Sequence, residues 1–226
     1  MDLPFEVFGS RALFSELVTG AGGEKQSYPV PTYEALKGIA KSIYWKPTFV
    51  YKIKKVRVMN PISFESMSMR MPCYDKNSVD LFNYMYLKDV RYQVLMNLEW
   101  NYNHPECAND RNFGKHSAMF FEALGKGGRF DIFLGKRDCP GFVKPCDFGS
   151  GVGAYDNVDV DFGFMYHSSI YPDEVERDDL RGKFSQAFWH AEMKNGILEF
   201  PAPCACQNIR VIKDMPVKVF GKEDKS

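Results

Sequence analysis

Apolar residues recur along this chain with two periods, and the switches between them outline its elements. Phe5-Glu6-Val7-Phe8 alternates as a short strand that ends at Gly9. After Gly20-Ala21-Gly22-Gly23, too glycine-rich for regular structure, Thr32 stands as a helix N-cap ahead of Leu36, Ile39, Ala40 and Ile43, spaced to share one face. Lys46 precedes Pro47 and is pushed out of the helical region, so the helix ends near Tyr44. Phe49 to Met59 alternates as a strand with Ile53, Val56 and Val58 on its apolar side, until Asn60-Pro61 breaks it. Ile62 to Glu65 resumes pairing, and 66–86, without a clean period, reads as an excursion or hairpin. The clearest strand follows, with Tyr92, Val94, Met96, Leu98 and Trp100 pointing one way. Past a loop over 101–113 comes a helix with Ala118, Phe121 and Leu124 at helical spacing, closed by Gly125 to Gly128. Asp131 to Gly135 then reads as a short buried strand.

That order, strand-helix-strand-strand-helix-strand, predicts an α+β fold: a ferredoxin-like, RRM-like βαββαβ domain over residues 1–135. Residues 136–153 form a Gly/Pro-rich bridge into a strand-rich C-terminal appendage, residues 136–226. The appendage carries strands at Phe162–Ile170 and Phe184–Met193, and an Asn195-Gly196 hairpin turn returns through Ile197–Phe200. The acidic stretch Asp173 to Asp179 is expected to be a solvated loop.

Composition agrees with a folded chain: 45% of the 226 residues are hydrophobic and 15% aromatic, and no apolar run has the roughly 20 residues of a membrane helix. Without an export signal at the N-terminus, the chain is expected to be cytoplasmic, with its six cysteines as free thiols. The Cys139/Cys146 and Cys204/Cys206 pairs lack the two-residue spacing of zinc knuckles, so no metal and no cofactor is expected. The formal net charge is zero, but residues 1–150 hold 20 Lys/Arg against 16 Asp/Glu, so the front of the chain is the basic part. Two local clusters, Lys52 to Arg57 and Lys126-Gly127-Gly128-Arg129, could track a phosphate backbone or stand as a solvated strand face and a helix-ending loop.

The chemistry concentrates in Arg111-Asn112-Phe113-Gly114-Lys115-His116 at the start of the second long helix. A helix N-terminus attracts phosphate and favours a neutral imidazole beside it, so Lys115 could hold a phosphate while His116 moves a proton. The alternative is a solvated surface pair. A metal-free ribonuclease must deprotonate a 2′-hydroxyl, align it with phosphorus and stabilise the charge on the phosphoryl oxygens, and histidine, lysine and tyrosine supply all three functions. No Gly-x-Ser-x-Gly elbow and no calcium-loop pattern is present. His104, His167 and His190 read as ordinary surface or strand histidines.

Several linked motifs carry a resemblance. Gly22-Gly23-Glu24-Lys25, Ser27 to Thr32, Ala35 to Ile39, Ile43 to Pro47, Asp110-Arg111-Asn112 with Gly114-Lys115-His116, Gly127-Gly128-Arg129 with Asp131 to Gly135, and Cys146 to Gly151 resemble the CRISPR-associated Cas-five family, Dvulg subtype, of the RAMP class. The resemblance covers most of residues 5–150 and is weaker over 154–182 and 203–226.

It implies an endoribonuclease of a type I-C CRISPR system, which cuts precursor CRISPR RNA beside its repeat hairpin without metal and leaves a 2′,3′-cyclic phosphate and a 5′-hydroxyl. The protein then stays on the CRISPR RNA as a subunit of the surveillance complex. The family's catalytic residues fall on Tyr44, Lys115 and His116: His116 as the main proton-transfer group, Lys115 as the stabiliser of the phosphorane, Tyr44 as the group that orients or helps deprotonate the 2′-hydroxyl. Many sister nucleases carry a histidine in or near the first helix; Thr32 to Ile43 has none, and Tyr44 occupies the neighbourhood. Lys25, Arg111, Lys126 and Arg129 are the expected RNA contacts. The rival reading is a non-cleaving scaffold that caps the CRISPR RNA handle.

Overall fold

The computed structural model describes residues 2–20, 24–72, 79–175 and 177–217. Its elements run β1 (Asp2–Ala12), α1 (Leu17–Gly20), β2 (Lys25–Gln26), α2 (Tyr33–Ile43), β3 (Phe49–Val58), β4 (Phe64–Pro72) and β5 (Val79–Trp100). After β5 come α3 (Phe113–Gly125), β6 (Ile132–Phe133), β7 (Pro140–Lys144), β8 (Val160–Ile170), β9 (Lys183–Lys194), β10 (Ile197–Glu199) and β11 (Asn208–Asp214). The architecture is a mostly antiparallel sheet with few helices; among the described residues its main path runs β11-β9-β10-β3-β5-β1-β7-β6.

β1 lies between β5 and β7, antiparallel to both, and β3 pairs antiparallel with the other edge of β5. One face of these strands is apolar because side chains alternate across a strand: Phe5, Val56, Val94 and Met96 are all fully covered. The two long helices cover that face. Phe120 of α3 meets Phe5 at 6.3 Å and Tyr51 at 6.0 Å between ring centroids, while Tyr33 of α2 donates its hydroxyl to the Tyr51 carbonyl.

The first helix forms as its sequence dictates. Thr32 caps it, accepting from the Ala35 amide at 3.2 Å, and its buried positions include Leu36, Ile39, Ala40 and Ile43. The segment 66–86 contains a hairpin: β4 pairs with the first part of β5 from Phe64↔Leu87 to Pro72↔Val79. β8, β9 and β10 match the strands expected in the C-terminal part, and β10 joins the rest of the sheet by pairing with β3.

Four expectations are corrected. The strand expected at Asp131–Gly135 is only Ile132–Phe133, and the strand that pairs with β1 is β7, within the segment read as a bridge. Its Pro and Gly concealed it, and the apolar run before it is buried because Leu134 crosses the end of β1, accepting from Leu13 N. Second, α3 buries His116, Ser117, Phe120, Ala123 and Leu124, whereas Ala118 is exposed; two polar residues on the covered face disguised its period. Third, the acidic loop is not wholly solvated, since Glu174 is packed against Lys37 and Lys41 of α2. Fourth, His104 is buried in the loop after β5, 1% exposed, and is neither a surface nor a strand histidine.

The basic run on β3 is also accounted for internally. Lys54 and Lys55 reach Asp2 and Glu199 at 2.6 Å each, and the buried Arg57 binds both Asp156 oxygens and the carbonyls of Ser150 and Gly151. Arg57 thereby pins the loop at 150–156 to β3.

Candidate active site

Tyr44 and His116, 72 positions apart, meet at the C-terminus of α2 and the N-terminus of α3. Asn112 is the N-cap of α3, accepting from the Lys115 amide at 3.0 Å, which sends Lys115 outward and His116 one step further round onto the covered face. Tyr44 is the C-cap residue of α2, in an extended conformation with its own amide still bonded to Ala40 O. Its ring therefore turns away from the helix axis, and its carbonyl accepts from the Tyr51 hydroxyl at 2.7 Å.

The imidazole is held at both nitrogens. Nε2 lies 2.7 Å from the Asp110 carbonyl oxygen, and a carbonyl only accepts, so Nε2 carries the proton. Nδ1 is left to accept the Tyr44 hydroxyl proton at 2.8 Å. Aromatic rings fix the plane: Phe49 at 5.1 Å and Trp100 at 6.0 Å both meet His116 edge-to-face. Tyr44 and His116 are both 0% exposed, whereas half of the Lys115 side chain is in solvent.

The charges around this pair come from Asp110, Lys115 and Arg129. The Asp110 carboxylate accepts from Lys115 and from Thr48 Oγ1 at 3.0 Å, and lies 3.4 Å from His116 Nε2. The hydrogen bond from Lys115 holds the Asp110 carboxyl below its ordinary value, and the same bond raises the Lys115 ammonium. Burial pushes the Tyr44 hydroxyl above its ordinary value, while Arg129 and Lys115 pull against that shift.

The Arg129 guanidinium sits 4.5 Å from the centroid of the Tyr44 ring. Backbone geometry explains this. Gly127, with φ +85, and Gly128, with φ +105, close α3 by donating to Leu124 O and Ala123 O, the paired bonds of a left-handed helix stop. The chain then turns so that Arg129 N donates to the Ser42 and Ile43 carbonyls at the end of α2. One glycine pair thus ends α3, caps α2 and aims Arg129 at Tyr44.

The four residues expected to touch RNA are distributed unevenly. Arg129 is at the site. Arg111 donates to the Asn101 and His104 carbonyls and stacks over Tyr102 at 4.8 Å, just ahead of the α3 cap. Lys126 pairs with Glu122 on the outer face of α3. Lys25 lies over the Tyr84 ring, near the other end of β5 from Trp100. Sequence reasoning missed Asp110 and Thr48. Asp110 stood within the Asp110-Arg111-Asn112 motif, but its shortest contact with His116 is through its backbone carbonyl, a group every residue carries; Thr48 had no signal at all.

Comparison with known proteins meets this geometry from outside. The family model Cas_Cas5d, described as CRISPR-associated protein (Cas_Cas5), matches residues 2–201. A relative from Thermus thermophilus named CRISPR pre-crRNA endoribonuclease Cas5d is 27% identical over 219 residues, covering 88% of this chain and 91% of the relative. Another of that name, from Mannheimia succiniciproducens, is 26% identical over 205 residues, covering 79% and 86%. A solved structure titled as a CRISPR-associated protein superposes with a TM-score of 0.73 at 32% identity, over 93% of this chain and 96% of that one. The chain belongs to the Cas5d family of CRISPR-associated proteins.

Proposed function

We propose that this chain is a metal-independent endoribonuclease that binds the repeat hairpin of precursor CRISPR RNA and cuts beside it. The observation that carries the reading is the Tyr44 hydroxyl at 2.8 Å from a His116 whose other nitrogen is fixed by a carbonyl, with Lys115 alongside, in a chain whose relatives are named pre-crRNA endoribonucleases. The geometry supports a division of labour in which Tyr44 relays the proton and Lys115 also serves the leaving group. A substrate 2′-hydroxyl gives its proton to Tyr44 Oη while the tyrosine proton passes to His116 Nδ1, so the phenol need never stand free as an anion. The imidazolium so formed lies against the carbonyl and carboxylate of Asp110. The 2′-oxygen attacks phosphorus, the bond to the 5′-oxygen breaks, and that oxygen takes a proton from Lys115; solvent then reprotonates Lys115 and takes up the proton held on His116, so both groups return to their starting states. Lys115 and Arg129 neutralise the phosphoryl oxygens as charge builds.

With Tyr44 and His116 fully covered, RNA must first draw Lys115 from Asp110 and Arg129 from the tyrosine ring. The same burial favours a second reading, a scaffold that only binds the RNA handle. One assay separates them: the repeat hairpin is incubated in EDTA with the wild type and with His116→Ala, beside a hairpin carrying a single 2′-deoxy nucleotide at the cut. Cleavage only of the all-ribose RNA by the wild type supports the nuclease. A bound but intact hairpin establishes the scaffold, and cutting that needs metal or survives the 2′-deoxy change rejects the chemistry.

In the fuller reading the product stays bound, the chain serves as a subunit of a type I-C surveillance complex in the cytoplasm, and Lys25, Arg111 and Lys126 extend the RNA track. The strand order β3-β5-β1-β7 supports a ferredoxin-like unit that takes three of its strands from residues 1–135 and its last, β7, from the start of the 136–226 appendage.

A further inference from the structure

Beside the Tyr44-His116 pair, the end of β5 and the start of α3 enclose a groove of about 570 Å³ to which no role has been given, lined by Trp100, Tyr102, Asn103, Phe113, Val175 and Arg181 among others. Its aromatics are presented rather than buried. Tyr102 is 74% and Phe113 41% exposed, and the Trp100 and Phe113 rings lie 4.2 Å apart. The walls are built. Asn101 N donates to Thr48 O, the Asn101 side chain accepts from Asn103 N, and Asn103 Nδ2 donates to the Asp173 and Val175 carbonyls.

Two guanidinium groups border it. The Arg111 guanidinium lies over Tyr102, and Arg181 stands at the rim, 3.1 Å from the exposed Asp178. Of the acids in the lining, Glu174 is bound by Lys37 and Lys41, and Glu99 faces Lys52 at 3.9 Å. Aromatic faces framed by guanidinium groups are the chemistry that receives an unstacked nucleobase and its phosphate. The groove adjoins the candidate active site: the Trp100 ring meets His116 edge-to-face at 6.0 Å, and Phe113 precedes Lys115 by two residues.

We propose that this groove is a nucleobase subsite, which takes one unpaired RNA base against Tyr102, Phe113 and Trp100 and thereby sets which phosphodiester lies over Lys115 and Tyr44. The proposal rests on the endoribonuclease reading for its substrate, but its test does not need cleavage. A repeat hairpin made uncuttable by a 2′-deoxy nucleotide at the cut is titrated with wild type, Tyr102→Ala and Phe113→Ala, with each unpaired nucleotide flanking the hairpin replaced in turn by an abasic one. Stacking of one base predicts a single position whose loss weakens wild-type binding at least about 5-fold. The same loss should have little effect on Tyr102→Ala, which already binds the intact RNA more weakly. Tyr102 is exposed, so that variant folds; quenching of Trp100 fluorescence by the intact RNA, and not by the abasic one, is an independent readout. Unchanged affinity in both variants, or abasic losses of the same size in wild type and variants, overturns the subsite and would leave the groove to a protein partner. If the abasic pattern holds but the wild type cuts no RNA in EDTA, the nuclease reading falls and the subsite stands.

Discussion

Tyr44 is at once a packing residue and a hydrogen-bond donor to a buried imidazole, and substitution can separate the two roles. Tyr44→Phe keeps the ring against Phe49 and under Arg129 but leaves His116 Nδ1 buried without its donor. An unpaired buried acceptor costs about 1–3 kcal/mol, so the variant is expected to melt several degrees lower. Loss of a proton-transfer group is expected to slow single-turnover cleavage by roughly 100-fold or more while hairpin affinity stays near wild type. A variant that cuts at the wild-type rate would remove Tyr44 from the proton path. Asp110→Asn addresses the counter-charge. The backbone carbonyl still fixes the His116 tautomer, but Lys115 is released and the imidazolium loses its carboxylate. KM and kcat are therefore expected to fall together, a pattern that a purely structural aspartate would not give.

At the scale of elements, the site depends on how two helices end. The Gly127-Gly128 stop of α3 delivers Arg129 to the C-terminus of α2, and Gly128 has little room for a side chain: at φ +105 a Cβ would lie 3.2 Å from Phe130 O and 3.3 Å from Ile132 Cδ1. Gly128→Ala is expected to cost about 1–3 kcal/mol of stability through backbone strain. It should also lower cleavage beyond what Arg129→Ala does to binding, as measured by denaturant unfolding alongside the hairpin assay. Equal stability of Gly128→Ala and wild type would show that the loop tolerates another path. Much of this was legible beforehand. Thr32, the proline after Lys46 and the glycines after Leu124 are local signals, and each marks a helix end where the structure has it. The covered face of α3 was not legible, because helical spacing of Ala118, Phe121 and Leu124 competed with a buried stripe that contains His116 and Ser117.

At the scale of the whole molecule, the C-terminal part is tied to α2 by buried contacts whose strength depends on pH. Glu174 connects the loop after β8 to Lys37 and Lys41 of α2; burial pushes its carboxyl up, and the two lysines overrule that and hold it at about 2. His167 of β8 is 0% exposed and stacks on Tyr33 at 4.5 Å, and burial pushes its imidazole down to about 3. Both groups bind protons more readily when unfolded, so both contribute stability that is lost on acidification. The His167 contribution declines from about pH 6.5 toward 3, and the Glu174 contribution from about 4.5 toward 2. The melting temperature is expected to fall progressively as pH drops below about 6.5, more steeply below 4.5, with His167→Gln flattening the upper limb. A wild-type profile level from pH 7 to 5 would mean that His167 is not held neutral by the fold.

What the sequence determined by itself was the succession of elements, the residues that begin and end the helices, and the family to which the linked motifs belong. Those properties are written in spacing, capping and turn chemistry, each set within a few neighbouring residues. Tertiary structure alone decided that β7 and not 131–135 lies on β1, that Tyr44 and His116 are hydrogen-bonded, and that Asp110, Thr48 and Arg129 surround them. Strand pairing and contacts between helix ends join positions tens of residues apart, and they are selected by which surfaces can be buried together, a condition that no local period records.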